Sequence, residues 1–313
     1  RQLKHAIQAD KPHMTLYGRL SGEPEITLGV RRLRAQRELE LRLKGDKNAR
    51  LAELVEAMPL QLINPDAFRL LEGSPAGRRE FLDWGVFHVK HDFLGIWKRN
   101  RRALKHRNAL LRRGRIHPQE MVVWEQELAI WGEQMDALRR AWFSDFLPVF
   151  EETLKVLLPL PGLSIHYARG WDKERSLSAV LHDSRPTDQQ MGFTQQGPQR
   201  ADLRIRVNKQ PAIEVLSRGQ QKLVVSALKL AQGRFLERTA QRHCIYLIDD
   251  LPAELDEQNR HQFCGLLEDM QCQAFITSVE PSALSSTWRP DTLVKMFHVK
   301  HTEQGLSQLV LAS

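Results

Sequence analysis

The chain has 313 residues, 42% of them hydrophobic, and a formal net charge of +8 with a pI near 9.6. That length builds one large or two ordinary domains with a real core, and the absence of any apolar run of about 18 residues excludes a membrane-spanning helix. Three cysteines, Cys244, Cys264 and Cys272, without C-x-x-C spacing argue against a disulfide framework or a zinc site and point to a reducing cytoplasm, while the positive balance permits a nucleic-acid partner.

Residues 13–20, 24–33 and 37–44 alternate apolar and polar side chains, broken first at Ser21-Gly22, and predict an antiparallel meander. Arg31, Arg32, Arg34 and Arg37 crowd one turn region, as a solvated hairpin tip or as a DNA contact. Residues 49–57 predict a short helix stopped by Met58-Pro59. Leu60–Ile63 suits a buried strand, Asn64-Pro65-Asp66 a turn and helix start, and Gly73-Ser74-Pro75 a second break before an apolar helix from Phe81.

Between Asp92 and Glu120 there is no acid, and Lys98, Arg99, Arg101, Arg102, Lys105, Arg107, Arg112, Arg113 and Arg115 follow one another. Phe93, Leu94, Trp97, Leu104 and Leu111 keep a helical apolar stripe, so the stretch is a helix with a positive outer face. So many uncompensated positives repel one another unless a polyanion lies alongside, which favours a nucleic-acid face. The candidate contacts are Lys98, Arg99, Arg101, Arg102, Lys105, Arg112 and Arg113. After a turn at Gly114 and Pro118, Trp124, Leu128, Trp131, Met135, Leu138, Trp142 and Phe146 step by four and three. That stripe is core, and the two segments should pair as an antiparallel helical hairpin.

Further on, residues 163–168 and 202–206 alternate as strands, 174–182 predict a short helix, and 189–210 are rich in Gly and Gln. Leu-Ser-Arg-Gly-Gln at 216–220 opens a helix over 221–236, and Cys244 to Ile248 is a buried strand that delivers Asp249 and Asp250. The C-terminal end of such a strand is where ligands sit in open α/β sheets. A Ser-Arg-Gly helix start offers free N–H groups and a positive dipole end to phosphate. Together they read as half of an ATP site. Residues 258–270 predict a helix, 273–278 a strand ending in hydroxyls, and 295–300 and 307–311 terminal strands. The pentapeptide Phe-His-Val-Lys-His occurs at 87–91, at a helix entry, and at 297–301, in a strand. Its histidines lack metal-ligand spacing, and the repeat is read as coincidence.

The L-S-R-G-Q segment, the aliphatic-D-D strand and Glu254-Leu255-Asp256 resemble an ABC-type ATPase. Q-L-I-N-P-D-A-F-R-L-L-E-G-S-P-A-G-R-R-E-F-L-D-W at 61–84 (after Leu60) and G-P-Q-R-A-D-L at 197–203 narrow the resemblance to the RecF family, over essentially the whole chain. Gln199 stands where the family has a histidine and Ala253 where a serine is usual. The hairpin is far too short for the arms of SMC-type relatives.

The resemblance implies an α/β fold: an ABC-type head of antiparallel meander plus mixed sheet with flanking helices. Residues 1–85 and 161–313 form the head, and an α-helical hairpin lobe is inserted at 86–160. It further implies ATP and Mg²⁺ as cofactors, with Asp249 on Mg²⁺, Asp250 as the base or orienter of the attacking water, Gln61 as the Q-loop residue and Thr277 as the switch. Ser217, Arg218, Gly219 and Gln220 would form the signature that caps a neighbour's γ-phosphate, and Asp256 would end the D-loop.

The function implied is an ATP-controlled DNA clamp at single-strand/duplex junctions. The clamp would dimerise on ATP, act with RecR- and RecO-type mediators to load recombinase, and serve gap repair, replication restart and the DNA-damage response in the cytoplasm, away from any membrane. No G-x-x-x-x-G-K-[ST] occurs in the chain, which starts at Arg1, and the segment that carries it in the family is expected upstream. The 313 residues alone are therefore expected to bind ATP weakly and hydrolyse it negligibly. Two other readings follow from the same residues: a non-hydrolysing DNA- or partner-binding module, and a transporter-type ATPase subunit.

Overall fold

The computed structural model describes residues 6–8, 10–22, 24–35, 38–113, 118–280, 282–285, 287–301 and 307–311. The meander forms as β1 (His13–Leu20), β2 (Ile26–Leu33) and β3 (Leu39–Leu43), antiparallel in that order. Its apolar face buries Leu28 and Leu41 against Leu54 of α1 (Leu51–Ala57), the usual solution for an alternating strand with one wet side. The arginines of the turn region are spent locally. Arg34 donates to the carbonyls of Ile7, Gln8 and Lys11, Arg32 to that of Glu38, and Arg31 pairs with Glu40 at 3.6 Å. Arg37, Arg115, the 114–117 turn and the segment 1–5 lie outside the described residues.

β4 (Leu60–Ile63) leads through a 3-10 turn, Pro65–Phe68, into α2 (Arg69–Glu72) and α3 (Pro75–Val89). α3 begins six residues before Phe81, with Pro75 in its first turn, and the first Phe-His-Val-Lys-His copy closes this helix instead of opening one. α4 (Phe93–Arg112) and α5 (Pro118–Leu157) make the antiparallel hairpin. α5 has 40 residues, about 60 Å of continuous helix. Its outer half lies along α4, while its C-terminal half enters the main core. There Trp142 stacks on Phe146 at 4.5 Å and meets Phe81 and Phe235 edge-on. A Cβ on Gly85 would stand 2.1 Å from the Trp142 ring, so α3 can come this close only with glycine there.

β5 (Leu163–Ala168) pairs antiparallel with β6 (Asp202–Val207), which also carries the short β7 (Gln210–Pro211). Between them α6 (Leu177–Met191) runs nine residues beyond the predicted end at His182, accommodating Pro186, and stops at Gly192 in left-handed backbone, φ 74°. After α7 (Ala212–Val215) and α8 (Arg218–Ala240), β8 (Ile245–Ile248) enters a parallel sheet in the order β4–β8–β9, where β9 is Ala274–Ile276. α9 (Leu251–Glu254) and α10 (Glu257–Asp269) connect the last two strands, and α11 (Ser282–Ser285) precedes a separate hairpin of β10 (Phe297–His301) and β11 (Ser307–Leu311). α8 lies on the buried face of the parallel sheet. A Cβ on Gly233 would stand 1.9 Å from the Tyr246 hydroxyl, which fixes that helix against β8.

Candidate functional site

The acidic end of the site is built by three neighbouring strand ends. The Asp249 N–H donates to the Ile63 carbonyl and the Thr277 N–H to that of Ile248, both at 2.9 Å, so β4, β8 and β9 finish level with one another. The Thr277 hydroxyl donates to Asp249 Oδ1 at 2.8 Å and accepts from the Asp250 N–H at 2.9 Å. Asp250 is held in left-handed backbone at φ 48°, ψ 53°, so the chain turns sharply into α9 and its carboxyl leaves the strand direction. Asp249 is exposed and Asp250 half-buried. Two adjacent carboxylates and a hydroxyl at a sheet's open end are hard oxygen donors of the type Mg²⁺ takes. Among the described residues no group of three or more His, Cys, Asp or Glu comes together to enclose a metal.

The second part of the site is the start of α8. The Ser217 hydroxyl accepts from the Gln220 N–H at 3.3 Å, and Gln220 Oε1 accepts from the Ser217 N–H at 3.0 Å, a reciprocal capping box. Arg218 pairs with Glu72 of α2. Gly219 is exposed, and a Cβ there would meet nothing within 4 Å, so no contact inside the chain calls for glycine at this point. Lys222 Nζ, 2.9 Å from Glu254, ties the first turns of α8 to α9.

The two parts are locked together yet do not meet. From the contact of Gly233 with Tyr246, α8 runs back 16 residues to Ser217, about 24 Å. β8 runs the same way from Tyr246 to Asp249, about 10 Å. Ideal rises thus put Ser217 on the order of 14 Å beyond Asp249, and among the described residues no hydrogen bond or ion pair joins the two.

Gln61 and Asp256 are not brought to the acids. Strand alternation puts Gln61 on the buried face with Ile63. Its amide donates to Gln232 Oε1 at 2.9 Å, its oxygen accepts from Lys229 Nζ at 3.2 Å, and Gln232 in turn donates to the Phe81 carbonyl. Burial holds the Lys229 ammonium below its ordinary pKa. The period of two in Leu-Gln-Leu-Ile already points Gln61 inward. Asn64, which follows β4 beside Asp249, has the sheet-end position instead, and its strand-then-Asn-Pro setting was the available signal. Asp256 caps α10: the backbone N–H and side-chain amide of Asn259 occupy its two oxygens at 2.9 and 2.7 Å and hold its carboxyl below the usual range.

On the hairpin, Lys98, Arg99, Arg101, Arg102, Lys105, Arg112 and Arg113 are exposed, and among the described residues none pairs with a carboxylate. Arg107 differs from them. It is fully buried, with Glu125 at 2.9 Å, Asp188 at 2.7 Å and Thr194 at 2.8 Å, so it is a structural ion and not part of the positive face. The repulsion inferred for the basic stretch is lower by that pair.

The family described as RecF/RecN/SMC N terminal domain matches residues 13–305. A DNA replication and repair protein RecF of Chromohalobacter salexigens is 64% identical over 300 residues, 96% of this chain and 83% of that protein. The chain belongs to the RecF family of DNA replication and repair proteins. A RecF of Pseudomonas aeruginosa is 51% identical over 302 residues, 96% of this chain and 82% of its own length. Among solved structures, one described as the recombination mediator protein RecF-ATP in the RecFOR pathway aligns with a TM-score of 0.82 at 19% identity, covering 99% of this chain and 83% of that one. An Smc head bound to the C-winged helix domain of ScpA gives 0.52 at 14% identity, covering 97% and 75%. The RecF fold, an α/β ATPase head with a short helical hairpin, is thus the fold of this chain. No helix among its described residues is long and apolar enough to cross a membrane.

Proposed function

We propose that this RecF-family chain works as an ATP-controlled DNA clamp whose nucleotide site is completed between two copies. What supports this reading is the place of Ser217 at the far start of α8, by ideal helix and strand rises about 14 Å beyond Asp249. A signature set apart from its own chain's acids, with open space at Gly219, suits a neighbour's phosphate. The mediator relative solved with ATP is in keeping with this nucleotide.

In this reading Asp249, steadied by Thr277, would hold Mg²⁺, which would supply charge stabilisation to phosphate, and Asp250 would orient or deprotonate the attacking water from its fixed left-handed position. Asp250, one methylene shorter than glutamate, gives slow turnover. Ser217 and Gly219 approach the partner copy's γ-phosphate with the free N–H groups of α8. Closing two copies brings two basic hairpins together around DNA, with gapped junctions and RecO- and RecR-type proteins as the partners. Gln61 has no part in the chemistry.

The test is nucleotide-dependent association of the protein extended to its relatives' length. Ser217→Arg should abolish ATP-dependent dimers while single-copy ATP binding survives, and Asp250→Asn should keep dimers and slow turnover. Dimers that persist in Ser217→Arg would remove the shared site.

A further inference from the structure

The positive face of α4 is not a row of free side chains. Arg99 lies over the Trp131 ring with its guanidinium carbon 4.4 Å from the centroid, and Arg102 over Trp124 at 5.9 Å. The other partner of Trp124 is His106, stacked at 4.1 Å and 6° between planes. Trp131 is itself pinned, its indole N–H donating to Glu127 at 2.7 Å. Residues 99, 102 and 106 are one stripe of α4, spaced by three and four, and it faces the tryptophans of α5. The adjoining stripe, Lys98, Arg101 and Lys105, has no such backing on α5, though Arg101 stands 5.1 Å from Trp97 of its own helix.

A guanidinium over an indole keeps its charge and its in-plane N–H donors, since the ring occupies only its face. Its remaining edge donors suit the oxygens of a phosphodiester, which take two N–H groups from one fork. An unbacked arginine must lose its rotamer freedom when it binds. We propose that Trp131 and Trp124 are positioning residues for nucleic-acid binding: they hold Arg99 and Arg102 as preset phosphate forks, so that these two, more than the unbacked Lys98 and Lys105, set the affinity of the face. Lysine, a point charge without a flat face, cannot take that role. The inference rests on the DNA reading of the hairpin and deepens it.

Fluorescence anisotropy with a labelled gapped duplex, over a range of salt concentrations, separates charge from positioning. Arg99→Gln should weaken binding and make the slope of log K against log salt shallower by about 0.9, one phosphate contact. Trp131→Leu should weaken binding about two- to five-fold at an unchanged slope. Arg99→Lys, on an exposed side chain that puts the fold at no risk, should match it. Trp131→Phe should recover part of the affinity, and the Trp131→Leu/Arg99→Gln double variant should bind no worse than Arg99→Gln alone. Arg99→Lys binding as tightly as the unaltered protein, or additive losses in the double variant, overturns the positioning role. Arg99→Gln without effect on affinity or slope overturns the DNA reading of this face itself. Equal losses for polyglutamate, with none for DNA, would assign the forks to an acidic protein.

Discussion

Both halves of α5 bury an apolar seam, and they differ in what is added to it. Its C-terminal half is a stack of rings, Trp142 on Phe146 with Phe81 and Phe235 at their edges, where shape and burial supply the cohesion. Its outer half buries Met121, Leu128 and Ala129 and adds a charge clamp. Arg107 reaches across from α4 to Glu125 of α5 and Asp188 of α6, and Arg185 of α6 binds Glu125 again. A buried fork accepts one geometry. The half that places the basic face thus adds a fully buried cation, shared by two other elements, to its apolar seam.

The largest effect should come from emptying the clamp. Arg107→Met leaves Glu125 and Asp188 buried short of a cation and should cost about 3–5 kcal/mol in urea unfolding. Converting Glu125 and Asp188 to leucine as well should restore only part of that loss, because Arg185, Ser184 and the Gln195 N–H then lose their acceptors. If the single variant loses under about 1 kcal/mol, the contrast between the halves fails. In the aromatic half, Phe146→Ala should cost about 3 kcal/mol or somewhat more, with no repair from any change of charge nearby.

His88 of α3, buried beside Trp84 and Phe87, sharpens the contrast from the apolar side. Among the described residues neither of its ring nitrogens has a hydrogen-bond partner, and burial, aided by the charge of Arg242, lowers its pKa from 6.5 to about 4. The unfolded chain takes up this proton first. Stability from the neutral ring is complete above about pH 6.5 and is lost as pH falls towards 4, up to about 3 kcal/mol. Unfolding midpoints of His88→Phe between those limits should lose that part of the slope, and an unaltered slope would place the acid sensitivity elsewhere. The smallest effect belongs to Arg175 and Asp183, an ion pair at the start of α6 that water reaches freely. Asp183→Asn should leave the midpoint where it is, which would show that burial, not charge as such, distinguishes the clamp.

Much of this was legible in the chain itself. Alternation placed the meander to within a few residues, the four-and-three stripe from Trp124 to Phe146 marked a buried face, and an apolar run ending in two acids placed the sheet end. What was not legible had physical reasons. Arg107 falls on the buried stripe of α4 with Asn100, Ala103 and Leu110, but a charge there is read as exposed unless its partners, 18 and 81 residues away, are known. Motif order points Gln61 to the phosphates, while the period of two in β4 points it into the core. The extension of α6 past Pro186 depends on Asp188, whose buried carboxylate is shared by Arg107, Ser184 and the Gln195 N–H.

The parallel sheet has a consequence for how the chain acquires its shape. Leu60 pairs with Ile245, and the chain between them makes the helical hairpin, the antiparallel sheet and the helices α2, α3, α6, α7 and α8. During synthesis β4 emerges long before β8, and closing so wide a loop is slow. The helical hairpin can therefore form while β4 waits for its neighbour, and the acids at the end of β8 enter their place only when that late pairing closes.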